Sequence, residues 1–153
     1  RMNVDRKEAK ELIEGYFTTY PQIKEYMDKS IEIARNQGYV ETIFQRKRYL
    51  PDINSRNATV RGYAERNAIN APIQGSAADI IKVAMSRIHK QFESNNLKAK
   101  MILQVHDELN FSVPKAEKAI VEEIVIREME TAFAMQVPLK ADCGWGKNWL
   151  EAH

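Results

Sequence analysis

The run Met101-Ile102-Leu103-Gln104-Val105-His106-Asp107-Glu108-Leu109-Asn110-Phe111-Ser112-Val113 decides the fold class. Upstream of it, Ile81, Met85, Ile88 and Phe92 recur at helical spacing, and Ile80 and Ala84 widen the same stripe. That pattern predicts a helix from Pro72 to about Ser94. At Met101 the period drops to 2. Met101 to Val105 reads as one strand. Leu109, Phe111 and Val113 then alternate with Asn110 and Ser112, as a half-buried strand does. Only His106 and Asp107 lie between the apolar run and Glu108, so a tight antiparallel hairpin follows, and Pro114 ends it. A strand-period hairpin inside a helix-period chain is the signature of an α+β fold, mostly helical with a small antiparallel sheet at about 101–113.

Outward from the hairpin the pattern returns to helix. Lys115 to Met135 is acidic and amphipathic, with Ile120, Ile124, Met129 and Phe133 expected inward, and Pro138 precedes a last expected strand, Leu139 to Cys143. Gly144 and Gly146 then interrupt regular structure. On the N-terminal side, Asp5 is a fitting N-cap with Glu8 three residues on, followed by the stripe Ala9, Leu12, Ile13, Tyr16 and Phe17. Pro21 opens a second helix carrying Ile23, Met27, Ile31 and Ala34, and Gly38 stops it. Tyr39 to Tyr49, rich in β-branched and aromatic residues, reads as a short hairpin. Asn57 to Ala71 reads as helix, and Pro72 as the first residue of the next one rather than an interior position. With no repeat, low-complexity tract or long linker, the chain reads as one unit.

Composition narrows the class. Of 153 residues, 44% are apolar and 29% charged, which excludes wholesale disorder. No apolar run exceeds four residues, which excludes a transmembrane helix, and no basic-then-apolar signal opens the chain. The single Cys143 excludes an intrachain disulfide and a cysteine-built zinc site, and fits a reducing cytosol. The net charge of +2 conceals an asymmetry: from Ile43 to Arg66, Arg46, Lys47, Arg48, Arg56, Arg61 and Arg66 face only Asp52 and Glu65. That stretch is either a solvated face or a stripe for phosphates. The opening Arg1-Met2-Asn3 carries no initiator methionine, so a piece of something longer is expected.

Two clusters could carry chemistry. His106, Asp107 and Glu108 bring three titratable groups to the hairpin tip. One reading is a solvated turn, which favours Asp for backbone reasons. The other is a metal or general-base site, because carboxylate oxygens suit hard ions such as Mg²⁺ or Mn²⁺. A two-metal site would need a further carboxylate, for which Asp52, Asp79 and Asp142 qualify by residue type alone. The second cluster is Arg66, Asn70 and Gln74, followed by Gly75-Ser76-Ala77-Ala78. These long polar side chains are either simply exposed or set to hydrogen-bond to base edges. Gly75 lowers helix stability by about 1 kcal/mol relative to Ala, and small residues there admit a close approach by another backbone. Weaker patterns do not compete: Gly144-Trp145-Gly146 lacks a βαβ unit, His89 and His153 lack metal-ligand spacing, and Ser76 has no nearby His for a triad.

Read together, Arg48-Tyr49-Leu50-Pro51-Asp52, Glu65-Arg66-Asn67-Ala68-Ile69-Asn70-Ala71-Pro72-Ile73-Gln74-Gly75-Ser76-Ala77-Ala78-Asp79 and Gln104-Val105-His106-Asp107-Glu108-Leu109 closely resemble the C-terminal part of the bacterial family A DNA polymerases. The resemblance runs over the whole chain, down to Asn148-Trp149-Leu150-Glu151-Ala152-His153, which resembles a natural C-terminus. It implies that Asp107 is the palm carboxylate coordinating catalytic Mg²⁺, that Glu108 is its less essential neighbour, and that His106 supports the primer terminus. It implies that Arg66, Asn70 and Gln74 touch the minor groove of the primer–template duplex. It further implies two Mg²⁺ ions, deoxynucleoside triphosphates and primer–template DNA as partners, and work in the bacterial cytosol.

Two departures stand out. Asn110 and Ser112 replace an apolar and an acidic residue more usual in the family, on the polar strand face, where no functional consequence is expected. The family's second metal-binding Asp and its nucleotide-holding fingers helix match nothing in residues 1–153. The chain therefore resembles the end of the fingers plus half of the palm, dependent on the remainder of a polymerase chain and inactive alone. Two alternatives remain: a noncatalytic nucleic-acid-binding remnant, and a small metal-dependent hydrolase built on Asp107 with a second carboxylate of this chain.

Overall fold

A computed structural model describes residues 5–152. Its elements in order are α1 (Arg6–Thr19), α2 (Pro21–Gln37), β1 (Tyr39–Glu41), β2 (Lys47–Tyr49), α3 (Ala58–Ser94), β3 (Lys100–Val105), β4 (Glu108–Ser112), a 3₁₀ turn (Lys115–Glu117), α4 (Lys118–Glu130) and α5 (Trp149–Ala152). The fold is α+β, with two separate antiparallel sheets of two strands each. Where one unit was expected, the chain forms two compact ones, Arg1–Gly75 and Ser76–His153, each with its own apolar core.

In the first unit the local signals act as expected at the helix ends. Asp5 Oδ1 accepts from the backbone of Lys7 and Glu8, both at 2.8 Å, satisfying two N–H groups that the first turn leaves unpaired. Gly38 takes φ 80° and its N–H returns to the Ala34 carbonyl at 2.8 Å, a left-handed cap open to glycine at no steric cost. The apolar stripe on α1 does not build a core: no residue of this helix is buried, and Leu12, Ile13 and Tyr16 stand about half exposed. The core instead gathers Ala34, Val40, Leu50, Ile53, Ala64 and Ala68. Burying Ile53 alone contributes roughly 1.5–3 kcal/mol. The expected hairpin forms from β1 and β2, with Tyr39 opposite Tyr49 and their rings 5.7 Å apart.

The long helix α3 corrects the expected break at Pro72. Asn57 Oδ1 caps its start, accepting from Thr59 N at 2.9 Å, and the helix then runs unbroken from Ala58 to Ser94 with Pro72 inside. A proline there removes one donor from the ladder and crowds the preceding turn. The packing on that turn offsets the loss: Ala64, Ala68 and Ala71 belong to or pack against the core, and the Tyr26 hydroxyl donates to the Ile69 carbonyl at 2.9 Å. Tertiary contacts outweigh the local preference of one residue.

In the second unit, α3 presents Ile81, Ala84, Ile88 and Phe92 as buried positions, as its periodicity predicts. Ala84, Ile88 and Phe92 join Val121, Ile124, Val125 and Ala132, with Met101, Leu109, Phe111 and Val113 packed against them. The hairpin β3–β4 carries a bulge at Ile102: Met101 pairs with Phe111, but Leu103 pairs with Asn110. One extra residue shifts the side-chain phase of β3, so Met101 faces the core while Leu103 is exposed. The Glu117 carboxylate accepts from Lys98 N and Ala99 N at about 2.9–3.0 Å, fixing where β3 begins.

Two C-terminal expectations are corrected. The helix after Pro114 is shorter than 115–135, beginning as a 3₁₀ turn and ending at Glu130. Just past its end, the Thr131 hydroxyl donates to the Arg127 carbonyl at 2.6 Å, and the Thr131 carbonyl accepts from Arg87 at 2.8 Å. Val121, Ile124, Val125 and Glu128 are its buried positions, whereas Ile120 is exposed. Leu139 to Cys143 forms no strand. The Glu130 carboxylate accepts from Ala141 N at 3.3 Å and pairs with Lys140 at 3.7 Å, so a side chain takes a donor that a neighbouring strand would have taken. No helix among the described residues is long and apolar enough to cross a membrane.

Candidate functional site

In the second unit the register Val105↔Glu108 leaves His106 and Asp107 as the whole loop between β3 and β4. His106 takes φ 54°, a left-handed value that hairpin loops of this length favour and that His tolerates better than most residues. Gln104 Nε2 donates to the His106 carbonyl at 3.0 Å and steadies the turn. Both tip side chains are exposed. Glu108 is half-buried, and its Oε1 accepts from Asn110 Nδ2 at 3.2 Å and from the Trp149 indole at 2.5 Å. The polar strand position Asn110 therefore touches a candidate site residue, although no functional role was expected of it. The alternation of β4 puts residues 108 and 110 on one face, a signal present in the sequence. Trp149 carried no such signal.

As a metal site this arrangement is partial. Asp107 offers hard, exposed oxygens suited to Mg²⁺, but one carboxylate is not a complete ligand set. Among the described residues, no three His, Cys, Asp or Glu side chains converge as a metal site. Of the carboxylates that qualified by type, Asp52 lies exposed in the turn after β2, Asp79 half-buried on α3, and Asp142 exposed beyond α4.

In the first unit, Arg66, Asn70 and Gln74 all stand exposed on the unbroken α3. Their i, i+4, i+8 spacing places them along one helix face over about 12 Å. The expectation that Pro72 would divide them between two helices is thus corrected: one rigid element carries all three. Asn70 and Gln74 line an open groove of about 340 Å³ between α3 and the β1–β2 hairpin, which supplies Arg46 and Arg48 to its other wall. Arg66 lies outside that lining, one turn earlier, with its guanidinium 5.9 Å from the Tyr63 ring. Gly75 explains how the hairpin comes so near. A Cβ on Gly75 would fall 2.7 Å from the Thr42 methyl, and Arg46 Nη2 donates to the Gly75 carbonyl at 3.2 Å. Side chains of this hairpin, rather than the backbone expected there, make the close approach at Gly75.

The sequence matches the family described as DNA polymerase family A over residues 1–151, and the chain belongs to that family. It is 55% identical over 150 residues to DNA polymerase I of Caldicellulosiruptor bescii, covering 98% of this chain and 18% of that protein. Identity to DNA polymerase I of Streptococcus pneumoniae is 52% over 151 residues, covering 99% and 17%. Among solved structures, the POL domain of Pol1 from M. smegmatis in complex with DNA primer-template and dNTP superposes with a TM-score of 0.96 at 42% identity, covering 99% of this chain and 27% of that one. The chain thus spans less than a fifth of the length of the curated relatives it matches.

Proposed function

We propose that the chain is the C-terminal part of the polymerase region of a template-directed DNA polymerase, comprising the end of the fingers and half of the palm, at work with DNA in the bacterial cytosol. Membership of the family and the exposed Asp107 at a two-residue hairpin tip support this reading most directly. The reaction is attack of a primer 3′-oxygen, its hydroxyl proton lost, on the α-phosphate of a deoxynucleoside triphosphate, breaking the bond to the β-phosphate and releasing pyrophosphate. Two Mg²⁺ ions, when bound, stabilise charge on the attacking and leaving oxygens. Asp107 supplies one carboxylate to that centre, Glu108 flanks it, and His106 supports the primer end. Arg66, Asn70 and Gln74 contact the minor groove behind the insertion site, where purine N3 and pyrimidine O2 offer acceptors in every correct pair. The second metal carboxylate and the nucleotide-holding helix come from the remainder of the polymerase chain.

The test is single-turnover primer extension by a complete polymerase carrying this segment. Asp107→Asn lowers the rate of nucleotide addition by orders of magnitude and leaves duplex affinity within a few-fold, because duplex binding rests on phosphate contacts. A near-normal rate would make the hairpin tip structural. Residues 1–153 alone give no template-dependent incorporation with Mg²⁺ or Mn²⁺; activity surviving stringent repurification would overturn their dependence on the remaining chain.

A further inference from the structure

The C-terminal turn is built to aim a single indole N–H. α5 has only four residues, far too few to persist as an isolated helix. Its stability comes from its surroundings. Asn148 Oδ1 accepts from Glu151 N at 3.1 Å, while the Glu151 carboxylate accepts from Lys147 N and Asn148 Nδ2, each at 3.0 Å. This reciprocal capping closes the turn. The turn lies directly on two glycines: a Cβ on Gly144 would fall 1.8 Å from the Ala152 carbonyl oxygen, and one on Gly146 would fall 2.5 Å from Glu151 Cβ. Between the glycines, the Trp145 indole donates to Glu122 of α4 at 2.8 Å, and Lys118 lies over its ring at 4.8 Å. Pinned in this way, the segment delivers Trp149 Nε1 to Glu108 Oε1, 41 residues away in sequence.

We infer that Trp149 is a positioning residue for the hairpin tip, acting through Glu108; the inference rests on the role proposed above for Asp107. Glu108 follows Asp107 directly and opens β4, so holding its carboxylate restrains the peptide that presents Asp107. The indole is suited to this because it donates without adding a charge. It orients Glu108 while leaving the negative potential around Asp107 intact, which a Lys or Arg would quench. Asn110 Nδ2 donates to the same oxygen, so the two neutral donors converge on Glu108 Oε1.

The first readout needs no activity. In the complete polymerase, labelled with ¹⁵N-tryptophan and free of metal, the indole resonance that disappears in Trp149→Phe shows the downfield shift and slow solvent exchange of an N–H bonded to a carboxylate. In Glu108→Ala it moves upfield and exchanges faster. The second readout is kinetic. Trp149→Phe slows nucleotide addition about tenfold at limiting Mg²⁺, raises the half-saturating Mg²⁺ concentration several-fold, and adds less than about twofold in a Glu108→Ala background. Gly146→Ala, which displaces the turn without touching the indole, reproduces the shift in Mg²⁺ dependence. An indole resonance indifferent to Glu108→Ala would overturn the inference, as would equal slowing by Trp149→Phe in both backgrounds or an unchanged Mg²⁺ dependence. If Asp107→Asn abolishes addition while Trp149→Phe is silent, the inference alone fails. If Asp107→Asn is near normal, the reading of the site fails with it.

Discussion

The Tyr26 hydroxyl donates a 2.9 Å hydrogen bond to the Ile69 carbonyl, in the turn that leads into Pro72. It ties α2 to α3 where the helix ladder has lost a donor. Tyr26→Phe leaves the ring in place and strands that carbonyl without its side-chain partner, so a loss of about 1–2 kcal/mol is expected. Denaturant unfolding monitored by circular dichroism checks this through a lower midpoint at unchanged slope.

Gly75 sets two opposing effects against each other. Replacing it with alanine gains about 1 kcal/mol of helix propensity. The new Cβ, however, falls 2.7 Å from the methyl of Thr42, whose own hydroxyl is held by Phe44 N at 3.3 Å and Arg46 N at 3.2 Å. Because Thr42 is buried and fixed, the clash wins, and Gly75→Ala is expected to destabilise by about 1–3 kcal/mol. Adding Thr42→Ser removes the offending methyl and should restore most of the loss in a double-mutant cycle.

Arg66 and Gln74 should matter most when the primer end is correctly paired. A mismatch displaces minor-groove acceptors and leaves a donor unpaired, at roughly 1–3 kcal/mol. In the complete polymerase, Arg66→Ala and Gln74→Ala are expected to slow extension from matched ends more than from mismatched ends. An N3-deaza purine in the duplex should reproduce part of the loss with unaltered protein. Equal slowing of both ends would reduce these side chains to simple DNA anchors.

Cys143 offers a check on the C-terminal segment. Partial burial pushes its thiol pKa above the ordinary value, and the nearby Glu122 carboxylate pushes the same way. The thiolate is the reactive form, so alkylation by iodoacetamide near neutral pH should be slower than for free cysteine. The rate should rise to a plateau only at higher pH. Peptide-resolved mass spectrometry measures this, and denaturation should abolish the difference.

Periodicity reveals the β3–β4 hairpin because a half-buried strand writes its faces into alternate residues, and Leu109, Phe111 and Val113 do so plainly. It locates the core face of α3 for the same reason. It misplaces the break at Pro72, since a proline's local preference says nothing of Tyr26 or the alanines packed around that turn. Leu139 to Cys143 misleads similarly: the residues favour a strand, but the Glu130 carboxylate takes the Ala141 N–H. At the tip, residue chemistry singles out Asp107 and Glu108. Asn110 was legible as a same-face neighbour of Glu108, whereas the Trp149 contact spans 41 residues and no spacing rule reaches it.

The positive φ of His106 also bears on how this loop can change over generations. That backbone shape admits Gly, Asn and Asp readily and resists β-branched side chains. One base change in a histidine codon reaches Asn or Asp, whereas Val, Ile or Thr requires two. Among the residues that one base change reaches, the backbone therefore favours Asn and Asp over Leu, Pro, Arg, Gln and Tyr.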